Sequence, residues 1–488
     1  MSNASSMSVK KSGHHNILNN WKGVKLVPFF SILILATIIW KLPTPTGLTD
    51  QTWHLFIIFI STIVALITKC APAGALSIIA IGACLTTKTL NIEQTLSSFN
   101  SQIIWLIVIA ILIARGFIKT GLGARIAYIF ISITGKSTLG LSYGLMTTEL
   151  LLAPFIPSNT ARGAGIIFPI VTSLSKEYGS TPEQGTSRKI GAYLVNLCFQ
   201  NNLLTSTMFL TAMAANPLIV KLAADMGYTI TWTTWALAAL VPGMISFILL
   251  PLIVYKIYPP ELTHTPEAPK MAKAKLKELG PLKIDEIYMI STFSLLLFLW
   301  VFGDNFGVSP TAAALIGLSI LLFSGVLTWD DVIKENTAWD VFIWLATLLM
   351  LAGFLAEFGM MSWLSTKMQG HLSGLDWVTT LIIVVLVNFY SHYFFTSMTA
   401  HITALFSALF IVTGAAAVPG MLAILLLAFT SNLCGGITHY STGTAPVYYS
   451  SNYVTTEEWW KVGFIVSLFN LAIWGIIGSA WWKFLGLW

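Results

Sequence analysis

The chain has 488 residues, 56% of them hydrophobic and only 9% charged, with a formal net charge of +6. Soluble globular chains carry about 25% charged residues, so this one has too few charges to cover a water-facing surface. A soluble enzyme, a disulfide-built secreted scaffold and a disordered chain are excluded, and an outer-membrane barrel would need alternating strands that the sequence lacks.

The first 25 residues are polar and basic, with Lys10, Lys11, Lys22 and Lys25 ahead of the first apolar run. Basic residues gather on the cytoplasmic side of membrane proteins, so residues 1–25 read as a cytoplasmic tail and 26–42 as an uncleaved first span. A spanning helix needs about 20 mostly apolar residues. Ten to thirteen stretches come near that, among them 103–114, 287–301, 381–387 and 421–429. The polar stretch 258–284 carries Lys270, Lys273, Lys275, Lys277 and Lys283 and reads as a cytoplasmic loop joining two halves. The chain closes on Trp481, Trp482 and Trp488, residues at home where a helix meets the membrane interface. Cys70, Cys84, Cys198 and Cys434 are scattered without a CxxC pair, so neither a disulfide framework nor a zinc site is expected. The positive charge is that of a membrane protein's loops, and no nucleic-acid partner is expected.

The two halves repeat a short pattern. Ser158-Asn159-Thr160-Ala161-Arg162 matches Ser397-Met398-Thr399-Ala400-His401, and Ser397 stands 239 residues after Ser158. A second polar break follows each motif. The first is Asn201–Thr207, running on to Asn216-Pro217; the second is 431–436, running on to Ala445-Pro446. In hydrocarbon every backbone N–H and C=O must find a partner, so broken helices survive only inside protein or beside a water-filled cavity. Paired interruptions in two halves are the sequence mark of a carrier's binding site.

The chemistry of these breaks suits an anion. Ser and Thr hydroxyls and the Asn amide donate to carboxylate oxygens, and a half-helix N-terminus adds free N–H groups and a positive dipole end. Arg162 and His401 add full or conditional charge after each motif. Each element also has a plainer reading. An isolated Ser-x-Thr usually bonds back to the preceding turn, and its repetition beside a basic residue is what favours binding. Arg162 could snorkel to an interface, although Pro157-Ser158-Asn159 is a helix-breaking context. His401 alone reads as a satisfied buried histidine; His392 and His439 rank below it. Glu149 reads either as a proton site or, more simply, as a structural partner for Arg162 or Arg125. No nucleophile–base or metal cluster at workable spacing is found, so no catalytic residue, metal ligand or cofactor is expected.

The segment Ala153–Arg162 resembles the Ser-Asn-Thr signature of the divalent anion sodium symporter family, and within it the branch that exchanges 2-oxoglutarate, malate, citrate and related acids. Gly135–Leu139, Ala338-Trp339, the stretch from His392 to His401 and the break at 438–446 match in the expected order, so the resemblance spans most of the chain. It implies an all-α polytopic membrane protein of about eleven transmembrane helices in two inverted repeats, with two re-entrant hairpins tipped by Ser158–Thr160 and Ser397–Thr399. It implies a homodimer with a scaffold (26–135 and 285–375) and an elevator-type transport domain (136–257 and 376–488). Asn201–Thr207 and 431–444 would lie in helices unwound midway.

On this reading the substrate is a C4/C5 dicarboxylate exchanged across a plasma (inner) membrane. Ser158, Asn159, Thr160, Ser397 and Thr399 would bind its two ends, with Thr207 and Thr444 nearby. Arg162 and His401 would supply compensating charge. The sequence departs from the sodium-coupled pattern at Met398, where the resemblance implies an Asn that helps hold a second Na⁺. A thioether is a poor ligand for so hard an ion. Fixed cationic side chains in place of Na⁺ would make an empty carrier costly to move and exchange obligatory. A sodium-coupled symporter of the same fold is the alternative.

Overall fold

The computed structural model describes residues 23–369 and 376–488. Most of the tail expected over 1–25, with Lys10, Lys11 and Lys22, lies outside these residues. Among the described residues the fold is all-helical; the one β pairing is an isolated bridge between Ser137 and His264. Eight helices among the described residues are long and apolar enough to cross a bilayer, including Asp50–Ile67, Gln102–Thr120, Trp232–Ile257 and Asn336–Glu357. Five shorter apolar helices, Leu26–Trp40 the first, accompany them. This is a multi-pass membrane protein.

The helices begin where short polar side chains satisfy free N–H groups. Thr49 caps Asp50–Ile67 and Ser137 caps Thr138–Leu152. Asp376 accepts from Val378 N and Thr379 N, and Thr455 forms a capping box with Glu458. Burial is uneven in an informative way. Leu26–Trp40 buries no side chain, and Ile284–Phe302 leaves Phe298, Val301 and Phe302 outward, as suits surfaces facing hydrocarbon. Gly191–Met208 is buried along its whole length, and Gly420–Leu433 from Leu422 onward. These two helices pack against each other, so the centre of the protein is built from the helices that carry Asn201–Thr207 and Ser431-Asn432.

Three expectations change. The stretch 258–284 is not a plain loop: Ala268–Leu279 is an amphipathic helix that buries Ala268, Pro269 and Ala272 and packs on Leu122–Thr134. Arg125 secures it, donating to Gly280 O (2.9 Å) and pairing with Glu286 (Nε–Oε1 2.6 Å, Nη2–Oε2 3.0 Å), so Arg125 is not the partner of Glu149. The terminal tryptophans do more than sit at an interface. Pro242 has no N–H and leaves the Ala238 carbonyl free inside Trp232–Ile257; buried Trp482 donates its indole N–H to that carbonyl at 2.8 Å. Trp459 is also buried. All four cysteines are buried and free.

Candidate substrate site

The two tips are built alike. After Thr138–Leu152 the chain turns through Ala153–Phe155 and runs extended into Ser158, where Asn159–Arg162 begins and continues through a π-helical turn at Gly163–Ile167 into Phe168–Glu177. In the second half Trp377–Tyr390 ends in a 3₁₀ turn, Phe395 is extended, and Ser397 starts Met398–Ala415. Ser158 Oγ accepts from Ala161 N at 3.1 Å, and Ser397 Oγ from Ala400 N at 3.3 Å. Each hydroxyl spends its oxygen on the cap and keeps its hydrogen for another acceptor.

The first break lies downstream of Asn201–Thr207. Those residues stay helical, and two of their hydroxyls bond back along the helix: Ser206 Oγ to Asn202 O (2.6 Å) and Thr207 Oγ1 to Leu203 O (2.8 Å). The helix stops at Met208, and Phe209 is extended. The carbonyls released there find side-chain donors, as a low-dielectric interior requires. Asn216 Nδ2 donates to Ser206 O (2.8 Å) and Phe209 O (2.9 Å), Trp235 Nε1 to Thr207 O (3.0 Å), and Arg162 Nη1 to Ala212 O (2.5 Å). The second break follows Cys434–Gly436. There Gln200 Nε2 donates to Gly436 O (2.8 Å), His392 Nε2 to Ser441 O (3.0 Å), and Ser441 Oγ to Gly435 O. The halves interlock: Asn159 Nδ2 donates to Thr442 Oγ1 (2.9 Å), Asn432 Nδ2 to Asn216 Oδ1 (2.7 Å), and Tyr448 OH to Gly163 O (2.9 Å).

Both tips line one cavity of about 180 Å³, its walls including Ser158, Asn159, Ser397, Thr399, Thr442 and Gly443. Ser397 and Thr399 also line a wider cavity of about 590 Å³ that reaches Lys25 and Lys69. Thr160 stands behind Gly443: a methyl built on that glycine would lie 2.6 Å from Thr160 Oγ1. Gly443→Ala should therefore push the first tip out of place. We expect a loss of about 1–3 kcal/mol in stability from overpacking and a several-fold drop in ligand-induced stabilisation, both read from melting curves.

Five of the expected residues do not line the cavity, Thr160 behind Gly443 among them. Arg162 is fully buried and turned inward; it donates to Ile156 O, Ala212 O and Ser206 Oγ (2.6 Å), and its Nε is 3.9 Å from Glu149 Oε1. It lies one helical turn beyond Ser158, where a long side chain reaches the carbonyls of the broken backbone. His401 is buried, its Nε2 3.0 Å from Ser391 Oγ and its ring perpendicular to that of His392. Thr207 is held within its helix, and Thr444 is buried at the start of Ala445–Tyr449. His439 accepts from Trp460 Nε1 at 3.1 Å, away from the cavity. Sequence reasoning missed Thr442 and Gly443 as wall residues, although the break at 438–446 pointed to their neighbourhood. One group among the described residues, His392, His401 and Cys434, brings three metal-ligating atoms within 4.8 Å. The Cys434 thiol donates to Ser431 O (3.2 Å) and both Nε2 atoms have partners, so these residues already join the second tip to the second break.

Two helix N-termini, one from each half, meet at one cavity within a multi-pass helical fold, the arrangement of a membrane carrier's binding site. The chain belongs to the divalent anion sodium symporter family: residues 23–488 match the family model described as sodium:sulfate symporter transmembrane region. It is 54% identical over 466 residues to "Putative malate transporter YflS" of Bacillus subtilis (strain 168), covering 95% of this chain and 98% of that protein. It is 47% identical to "Dicarboxylate transporter 1, chloroplastic" of Spinacia oleracea (96% and 83% covered) and 35% identical to "L-tartrate/succinate antiporter" of Escherichia coli (strain K12) (93% and 97%). Among solved structures it resembles the Alcanivorax borkumensis YdaH transporter, with a TM-score of 0.52, 13% identity, and 93% and 97% of the two chains covered. That likeness concerns the fold alone.

Proposed function

We propose that this protein exchanges C4/C5 dicarboxylates such as malate, fumarate, succinate and 2-oxoglutarate across a bacterial plasma membrane. The observation that carries the reading is the meeting of two capped serine tips, one from each half, at a single cavity. A dicarboxylate is anionic at both ends, and each tip offers one end a hydroxyl hydrogen and a helix N-terminus. The names of the malate, dicarboxylate and tartrate/succinate relatives support the same substrate class. Substrate would enter through the wider cavity past Lys25 and Lys69, whose charges draw anions; the N-terminus is then cytoplasmic.

Exchange is favoured by the antiporter among the relatives and by Met398 in the cavity wall, whose side chain has no oxygen to offer Na⁺. An empty site would carry unmatched donors through the low-dielectric barrier, whereas a loaded one would not. The movement fits an elevator cycle in a homodimer, with residues 136–257 and 376–488 sliding against a scaffold of 26–135 and 285–375. The two inverted repeats supply one tip each. The interlocking of the breaks supports treating the transport halves as one body.

Proteoliposomes test this directly. Labelled malate should enter vesicles preloaded with unlabelled malate and not empty ones, with or without a Na⁺ gradient. Na⁺-driven uptake into empty vesicles would select the symporter reading. Absence of both uptake and thermal stabilisation by any dicarboxylate would overturn the substrate class; a true ligand at 100 times its Kd adds about 2.7 kcal/mol.

A further inference from the structure

Behind the first-half wall of the cavity lies a buried ion pair that has no equivalent among the described residues of the second half. Glu149 is fully buried, takes donors from Asn201 Nδ2 (3.3 Å) and Asn202 Nδ2, and stands 3.9 Å from Arg162 Nε. The spacing that relates Ser158 to Ser397 relates Arg162 to His401 and Glu149 to Asn388. Asn388 makes the corresponding contacts, donating to Thr430 Oγ1 (3.0 Å) and Ser431 Oγ (3.1 Å) on the break-bearing helix. An uncharged amide therefore suffices to tie a tip to its broken helix. What Glu149 adds is charge.

That charge sits one residue from the cavity. Asn202 Nδ2 bridges Glu149 to Asn159 O (2.9 Å), and Asn159 lines the wall. The carbonyls that hold Arg162, those of Ile156 and Ala212, adjoin the wall residues Pro157 and Met213. We infer that Glu149 is the internal counter-ion that keeps the Arg162 side of the site neutral when no anion is bound, and thereby sets how strongly the carrier prefers loaded over empty crossings. It is a positioning residue that acts through Arg162 and Asn202 and does not touch substrate. The inference rests on the dicarboxylate reading above, and it revises the expectation that Arg162 contributes an unbalanced positive charge.

Glu149→Gln keeps the side chain's shape and one acceptor but removes its charge, leaving Arg162 as an uncompensated buried cation beside the site. Wild type, Glu149→Gln and Glu149→Gln/Arg162→Gln would be compared by malate counterflow, by net efflux into malate-free buffer, and by melting with and without malate. The single variant should show an apparent KM for malate lower by roughly tenfold. It should also show a larger malate-induced melting shift and a higher ratio of counterflow to net efflux; the double variant should return all three toward wild type. An unchanged KM and ratio in a folded Glu149→Gln, or no return in the double variant, would overturn the inference. If Glu149→Gln fails to fold, a folded double variant supports it and an unfolded one overturns it. Failure of wild-type counterflow would instead sink the substrate reading, while the ligand-free melting temperatures would still report on the charge pairing.

Discussion

Replacing Arg162 with alanine is expected to destabilise the folded protein by about 3–5 kcal/mol, the usual cost of removing one member of a buried pair. The sequence alone suggests the opposite emphasis, a loss of dianion binding greater than any effect on folding. The structure reverses that order. Without the guanidinium, the Ile156 and Ala212 carbonyls and the Ser206 hydroxyl lose their donor, and Glu149 is left buried without its counter-ion. Purified Arg162→Ala should melt far below wild type, and adding Glu149→Gln should recover part of the loss. A near-normal melting temperature for Arg162→Ala alone would show that the pair is not structural.

The second large effect is functional. Ser158→Ala and Ser397→Ala each remove a cap worth about 1 kcal/mol, so both variants should fold. Each also removes a hydroxyl donor to a carboxylate, an interaction worth about 1.5–3 kcal/mol, which predicts counterflow rates about 10- to 100-fold lower. The two substitutions should act with similar size, because the tips are built alike and face one cavity. Full activity in either folded variant would remove that serine from the site.

These residues also show what a sequence can and cannot reveal. Ser158 and Ser397 were legible because an N-cap serine after an extended, Pro- or Phe-rich approach has a local cause and repeats at a fixed spacing. The first break was misplaced by several residues for an equally local reason. Polarity in Asn201–Thr207 suggests unwinding, yet Ser206 and Thr207 bond back to their own helix, and the interruption starts at apolar Phe209. Arg162 and His401 were found by type, but the direction of a side chain depends on which carbonyls the fold leaves free. Thr442 and Gly443 are small and uncharged, so nothing in their chemistry announces a wall. Asn388 was within reach: it stands at the same spacing from Glu149 as Ser397 from Ser158.

The interlocking of the halves has a consequence for how the protein is made. The Gly163 carbonyl waits for Tyr448, 285 positions later, and Asn159 waits for Thr442, 283 positions later. Until the ribosome has finished most of the second half, the newly inserted first half holds polar backbone in the bilayer without its final partners. Insertion must therefore shelter an unfinished polar core, and a gene cut within 258–284 should yield two fragments that survive only when synthesised together.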